Sequence, residues 1–489
     1  MDSKKPFYIT TTLPYVNAEP HIGHALEFVR ADVIARYKKS LGLDVFFNTG
    51  TDEHGSKILE GANKEGITPK EYVDRNAERF KNLFPALGIS EDIHFIRTTD
   101  EKHIKAAQEM WKRCYDNGYI YKKNYQAKYC VGCELYKTDS ELVDGKCPIH
   151  TNREIEIIEE ENYFFKFKDA GEKLLKLYEQ NPRLVVPDFR FNEIKAFVGR
   201  GLEDFSISRL KSKMSWGVPV PGDDEHIMYV WFDALTSYIS TLGWPVSKDF
   251  ETYWVNGTPV QYCGKDNLRQ QSAIWQAMLL ASGLPPTNTI VINGFIISGG
   301  QKMSKSLGNV INPFDVIEMF KGVTEYPEEV LRFILLHEIP SFEDGDLTID
   351  SIKTAYKAYL QDGVGNLTSR IMKLSSINLE KPVDISQFEG VKSFGSVHLD
   401  LLKNYDVKHY LDEVCKDINE IDANISATEP FKIIKVDVQK GKELIIILVQ
   451  SLARIANLLS FAMPKTSAKI LECIRENKMP EKPLFGRLA

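Results

Sequence analysis

Residues 7–24 decide the reading of this chain: Phe7-Tyr8-Ile9-Thr10-Thr11-Thr12, then Leu13-Pro14-Tyr15-Val16-Asn17-Ala18-Glu19-Pro20, then His21-Ile22-Gly23-His24. The first part is aromatic and β-branched and reads as a buried strand. The second is a loop with two prolines. The third opens a helix, because apolar residues then fall at Ile22, Ala25, Leu26, Val29, Val33, Tyr37 and Leu41, and Gly42 stops it. Strand, loop and helix thus put two imidazoles and a glycine at a helix N-terminus. That arrangement suits a nucleoside triphosphate, since helix N-termini offer N–H groups and partial positive charge. Two histidines three apart share a helix face, and Gly23 lets a flat base or ribose approach the backbone. The bland alternative is two surface histidines on an ordinary helix.

Composition bounds the class. The chain has 489 residues, 43% hydrophobic and 26% charged, with 61 Lys plus Arg against 68 Asp plus Glu and a net charge of −7. These are ordinary globular values, with room for two to four domains. The overall sign does not announce a nucleic-acid binder, although a local basic surface is enough to meet phosphates. Met1-Asp2-Ser3-Lys4-Lys5 passes straight into strand residues without a signal-type apolar stretch, so a cytoplasmic protein is expected. The most apolar run, 444–449, is soon followed by Gln450, Ser451, Arg454 and Asn457 and reads as a core helix, so no membrane partner is expected.

Further along, Val45-Phe46-Phe47 reads as a second buried strand, ending in Gly50-Thr51-Asp52-Glu53-His54-Gly55. In an open parallel sheet ligands bind at the carboxyl ends of strands. Asp52 is therefore placed to grip an amino group, or else simply caps the next helix. Thr68-Pro69-Lys70-Glu71 is a capping box. A helix from Asp100 to about Gly118 closes the first half.

From residue 119 to about 168 the chain is rich in Tyr, Lys and Glu and reads as short strands. Inside it Cys130 and Cys133 form C-x2-C, and thirteen residues later Cys147 and His150 form C-x2-H. Three thiolates and an imidazole suit a closed, structural tetrahedral Zn²⁺ site, with Gly132 and Gly145 for the turns. Free thiols and disulfides are the alternatives. Helices follow to about 200, then strands at 227–230, 260–263 and 289–292 alternate with helices. A loop or hairpin over 295–303 delivers Lys302-Met303-Ser304-Lys305-Ser306. Beyond 345 the spacing of Ile349, Ile352, Tyr356, Tyr359, Leu360, Leu367, Ile371 and Leu374 is helical.

The expected fold class is α/β. A Rossmann-like parallel sheet occupies 1–118 and 206–298 and is split by a zinc-binding insertion at 119–205. A lysine-motif linking region covers 299–345, and an all-α bundle covers 346–489.

H-I-G-H near the start and K-M-S-K-S much later, in that order, resemble the class I aminoacyl-tRNA synthetases. Thr12-Leu13-Pro14-Tyr15, Gly50 to Gly55, the metal knuckle and Val230-Trp231-Phe232-Asp233-Ala234 narrow the resemblance to the methionyl-tRNA synthetase family, over essentially the whole chain. The resemblance implies ATP-dependent ligation of methionine to tRNA(Met) through a methionyl-adenylate. It implies one structural Zn²⁺ and Mg²⁺ with ATP. His21, His24, Lys302 and Lys305 would act on the phosphates. Gly23, Gly264, Asp266 and Lys305 would hold ATP. Leu13, Tyr15, Asp52, Trp231, Ala234, Tyr238 and Gln271 would hold methionine, where aromatic faces suit a thioether. Core packing is the alternative for Trp231 and Tyr238.

Two places depart from the family pattern. Gln270-Gln271 stands where the family carries Phe-His, and Ile274 where an aromatic is common. In the bundle Asn366 and Arg370 match the anticodon-reading pair, but Phe431 after Pro430 replaces a tryptophan. A phenylalanine still stacks on a base. The runner-up is a class I synthetase for another aliphatic amino acid or cysteine. The modest insertion disfavours isoleucine, valine and leucine, since methylene discrimination alone supplies only about 10–200-fold and calls for a larger editing domain. A non-catalytic tRNA-binding paralogue is the third reading. A monomer is expected.

Overall fold

The computed structural model describes residues 5–132, 135–137, 142–303 and 308–488. Strands β1 (Pro6–Thr11), β2 (Asp44–Thr51), β3 (His94–Arg97), β4 (Val185–Val186), β5 (Thr258–Gly264) and β6 (Thr289–Asn293) form one sheet in the order β3-β2-β1-β5-β6-β4. Every neighbouring pair is parallel, with Ile9 set between Phe47 and Val260. Both faces are covered, which is why the strands read as continuous apolar runs rather than as alternations. Phe7 and Ile9 point to one core, Tyr8 to the other. The chain leaves β1 for β2 on one side and returns to β5 on the other. A crevice therefore opens at the carboxyl ends of β1 and β5, the switch point where ligands bind in doubly wound sheets.

Helix α1 (Ile22–Ser40) follows β1 and buries Ala25, Leu26, Val29, Val33 and Tyr37 as its spacing requires. The capping box at Thr68 forms with Glu71. Asp100 stands at the N-cap of Glu101–Asp116. The insertion is built differently from the expected short strands. Ile120–Cys130 pairs antiparallel with Glu156–Phe165 along nearly its whole length, in register from Ile120↔Phe165 to Tyr129↔Glu156. Polar residues dominate because much of this ribbon meets solvent. Lys122 stands opposite Tyr163 and reaches diagonally to Glu161, its Nζ 3.0 Å from Oε2.

The lysine motif begins on a hairpin, Ile296–Ser298 with Gln301–Lys302. Helices Pro313–Met319 and Pro327–Glu338 then precede the bundle. The helix expected over 349–374 runs to Asn378 but is irregular at Tyr356–Gly365, with Gly363 at φ −84°, ψ −108°. A Cβ at Gly365 would lie 2.9 Å from the Leu360 carbonyl oxygen, so glycine permits the close turn there. One hydrophobic core runs from α1 into the bundle. It encloses an ion pair, Arg332 Nη2 to Asp32 Oδ2 at 2.7 Å, whose guanidinium also donates to the Phe461 and Ala462 carbonyls. Among the described residues no helix is long and apolar enough to cross a membrane.

Candidate active site

His21 is the N-cap of α1 and His24 its third residue. His21 Nδ1 accepts the Gly23 N–H at 3.1 Å, and His24 Nδ1 accepts the His21 N–H at 3.1 Å. This is a capping box made of two imidazoles. The rings stack with centroids 3.8 Å apart, and His24 meets the Phe80 ring edge-on. Burial lowers both pKa values, and the neighbouring His21 lowers His24 further. Each neutral ring accepts at Nδ1, so its proton is on Nε2. The sequence reading offered backbone N–H groups to the phosphates. In the structure two of those groups are taken by the rings, and the donors left over are imidazole Nε2–H. Gly23 also serves the cap, since a Cβ there would lie 3.0 Å from the His21 ring.

The crevice is a cavity of about 630 Å³ whose walls include His21, Gly23 and His24 as well as Trp231, Ala234 and Tyr238. Leu13, Tyr15, Asp52, Gln271, Gly264, Asp266 and Lys302 also face it. Every residue expected at the small-molecule site is thus brought together, except Lys305, which lies outside the described residues.

Asp52 follows the end of β2 and is locked to the β1 loop: its N–H donates to Pro14 at 2.9 Å, and its carbonyl accepts from Val16 at 3.2 Å. It is not a helix cap, because Gly55, at φ 106°, caps Ser56–Glu65. Asp52 is 8% exposed, and its Oδ1 has no hydrogen-bond partner among the described residues. Burial, with the nearby Asp233 charge, holds its pKa well above the usual carboxylate range. Behind it Asp233 is clamped by two histidines, His54 Nδ1 at 2.7 Å and His103 Nε2 at 2.6 Å. Burial would push Asp233 up, but these partners outweigh it and hold it down at about 2.

The far wall is a chain of buried amides. Gln261 Nε2 donates to Gln271 Oε1 at 3.0 Å, and Gln271 Nε2 donates to the Tyr238 hydroxyl. Gln271, where the family has histidine, is therefore held in one orientation. Gln270 faces the cavity as well, while Ile274 packs against the second core. Trp275 is fully buried, with its ring 5.9 Å from Tyr238.

Asp266 Oδ1 would come within 2.6 Å of a Cβ at Gly264, so the glycine leaves room for the Asp266 carboxylate in its present position. Burial raises the Asp266 pKa. Lys302 Nζ lies 5.2 Å from the Phe295 ring centroid. Among the polar cavity residues that the sequence reading missed are Glu27, Tyr129, Arg209 and Asn293. Glu27 was within reach, being three residues after His24 on the same helix face. Its carboxylate accepts the Thr12 N–H at 2.7 Å, and burial pushes its pKa up to about 8. The other three come from remote segments, and no local pattern marks them.

Cys130, Cys147 and His150 cluster at the tip of the insertion, their ligand atoms all within 4.8 Å of one another. His150 Nδ1 is 3.8 Å from Cys130 Sγ and 3.9 Å from Cys147 Sγ. Metal bonds of about 2.3 Å to sulfur and 2.0 Å to nitrogen make tetrahedron edges of roughly 3.5–3.8 Å, so the donors fit zinc. Gly145 turns at φ 76°, whereas Gly132 makes room for the His150 ring, 2.5 Å from its would-be Cβ. Cys133 lies outside the described residues. The anticodon-reading candidates are elsewhere. Asn366 and Arg370 lie on Asn366–Asn378, with Arg370 Nη1 paired to Asp422, and Phe431, 41% exposed, lies on Pro430–Val436.

A doubly wound sheet with a histidine-capped helix at its switch point and a lysine hairpin above it defines a class I aminoacyl-tRNA synthetase fold. The family model described as tRNA synthetases class I (M) matches residues 7–157 and 150–372. The chain is 42% identical over 385 residues to the methionine–tRNA ligase of Brucella suis, covering 78% of this chain and 73% of the relative. It is 38% identical over 484 residues to that of Caldanaerobacter subterraneus, covering 96% and 74%. It superposes on Mycobacterium tuberculosis methionyl-tRNA synthetase in complex with methionyl-adenylate with a TM-score of 0.88 and 31% identity, over 99% of this chain and 100% of that one. The chain belongs to the methionyl-tRNA synthetase family.

Proposed function

We propose that the chain activates methionine with ATP and transfers it to tRNA(Met). The observation that carries this reading is one cavity holding a buried carboxylate with an unpaired oxygen, an aromatic wall, and two neutral imidazoles with Nε2–H donors. Methionine's ammonium pairs with Asp52 and with the Leu13 carbonyl. Its thioether lies among Tyr15, Trp231, Ala234, Tyr238 and Gln271. The methionine carboxylate then attacks the α-phosphate of ATP, and pyrophosphate leaves. A terminal ribose hydroxyl of tRNA next attacks the adenylate carbonyl and releases AMP.

No protein nucleophile is needed. Catalysis is alignment plus stabilisation of charge on the phosphates. His21 and His24 donate to the phosphates through Nε2. Asp266 and Gly264 hold the ribose, with Gly23 under the adenine. Lys302 and Lys305 close over the departing pyrophosphate. Mg²⁺ bound with the triphosphate would neutralise part of its charge.

Cys130, Cys133, Cys147 and His150 would hold a structural zinc, which would fix the insertion tip, from which Tyr129 reaches the cavity wall. Elemental analysis giving no bound metal would sink this assignment. Asn366, Arg370 and Phe431 read the anticodon. In this reading the chain acts as a monomer. The test is amino-acid-dependent ATP–pyrophosphate exchange across methionine, leucine, isoleucine, valine and cysteine. Exchange with methionine alone is expected, and exchange with another amino acid instead overturns the reading.

A further inference from the structure

Asn293 ends β6 and sits opposite Gly264 in the β5–β6 ladder. It therefore stands at the carboxyl edge of the sheet, in the cavity wall beside Gly294 and Phe295. It is 3% exposed. Its Oδ1 accepts a hydrogen bond from Arg30 Nη1 at 2.9 Å. A guanidinium only donates, so the chemistry fixes which branch of the amide is oxygen. The Nδ2 branch lies on the other side of the amide and has no hydrogen-bond partner among the described residues. Buried amide donors are rarely left unpaired, because desolvation without a partner costs stability.

Arg30 cannot swing away to release the amide. It is 2% exposed. Its Nη1 also donates to the Ser341 carbonyl at 3.0 Å, and its Nη2 to the Ile339 and Pro340 carbonyls at 2.9 and 2.7 Å. Burial lowers its pKa to about 10, so it is charged at neutral pH. Asn293 is thus held from behind by a group anchored on three further carbonyls.

We infer that Asn293 Nδ2 donates a hydrogen bond to the adenosine half of ATP, and that Arg30 is the positioning residue that aims it. The inference rests on the ATP-binding reading of the cavity. The polarity is complementary. Glu27 and Asp266 bring oxygens that suit ribose hydroxyl donors, and Asn293 brings a donor for the acceptor atoms of the nucleoside.

The test is Asn293→Asp in pyrophosphate exchange. The aspartate keeps the shape and an oxygen for Arg30 but loses the donor. The expected result is a KM for ATP raised about tenfold or more, with the KM for methionine within about twofold and Tm unchanged. Asn293→Ser, which shortens the side chain without adding charge, separates loss of the donor from charge repulsion and stands in should the aspartate variant not fold. The same split between the two KM values is expected. Equal rises in both KM values, or an unchanged KM for ATP in a folded variant, overturn the inference alone. Failure of the unaltered protein to exchange at all overturns it together with the reading beneath it.

Discussion

In the cleft, Asp52 is 8% exposed with an oxygen that meets no partner among the described residues; on the bundle, Arg370 is 34% exposed at its side chain and already paired with Asp422. On the proposed function, with methionine at Asp52 and the anticodon at Arg370, the difference follows from ligand size. A small charged molecule must be drawn out of water, so its site keeps desolvated groups waiting for it and accepts the cost of burying them. An RNA loop is met at an exposed face, where idle charges are screened and pair locally at little cost. Cleft variants should therefore act on adenylation, bundle variants only on tRNA charging, and the cleft effects should be larger.

The largest effect is expected at His24. Removing one preorganised donor from the phosphates costs about 10²–10³ in rate, or roughly 3–4 kcal/mol. His24→Ala should lose that much kcat in pyrophosphate exchange with methionine and ATP both saturating. A variant that exchanged normally but failed only in charging would break the contrast between the two regions.

Asp52→Asn comes next. An ammonium needs the ionised carboxylate, so the KM for methionine should rise about 10–100-fold while the KM for ATP barely moves. Because burial raises the folded-state pKa of Asp52, methionine binding should weaken as pH falls through that raised value, and the asparagine variant should lose this pH dependence. The stability sign is opposite. A group whose folded pKa is raised contributes stability below its unfolded pKa of about 3.9 and loses it as pH rises through the folded value. Near neutral pH the ligand-free asparagine variant should therefore be more stable than the parent, by about 1–3 kcal/mol. A lower Tm for Asp52→Asn would show that the carboxylate is satisfied after all.

On the bundle, Arg370→Ala should lower kcat/KM for tRNA about tenfold. Pyrophosphate exchange should stay within about twofold, because Arg370 is on a helix remote in sequence from every cavity residue. A parallel loss in both assays would mean that the bundle shapes the cleft through the core it shares with α1.

The same contrast governs what could be read from sequence. The sheet, the histidine-opened helix and the metal knuckle were legible because each is a local pattern: apolar runs, helical spacing, ligand spacing. Asp52 was legible from its place at a strand end, Gly264 only through the family resemblance. Tyr129, Arg209 and Asn293 were not, because they reach the cavity only through the path of the insertion and the β6 register, which are tertiary facts. The imidazole capping box was half legible: the spacing was visible, but the direction of its hydrogen bonds was not. The long polar ribbon was mistaken for short strands because a solvated antiparallel pair needs no apolar alternation. The paired state of Arg370 was hidden for the reason that hid Asn293, since Asp422 lies on another helix.

The smallest effect, and the finest test of the bundle half, lies at Phe431. Its ring is 41% exposed on a helix of only seven residues, Pro430–Val436, flanked by Lys432 and Lys435. Stacking on a nucleic-acid base is worth about 1–3 kcal/mol per aromatic when removed, so Phe431→Ala should weaken tRNA charging by roughly tenfold or more. Indole offers a larger face and a donor that phenylalanine lacks. Phe431→Trp should therefore improve the KM for tRNA by about twofold to fivefold, leave pyrophosphate exchange untouched, and do so more clearly at low salt. If tryptophan weakens charging instead, the surrounding face is shaped for the smaller ring, and the substitution at 431 is a fitted feature of this chain rather than a tolerated loss.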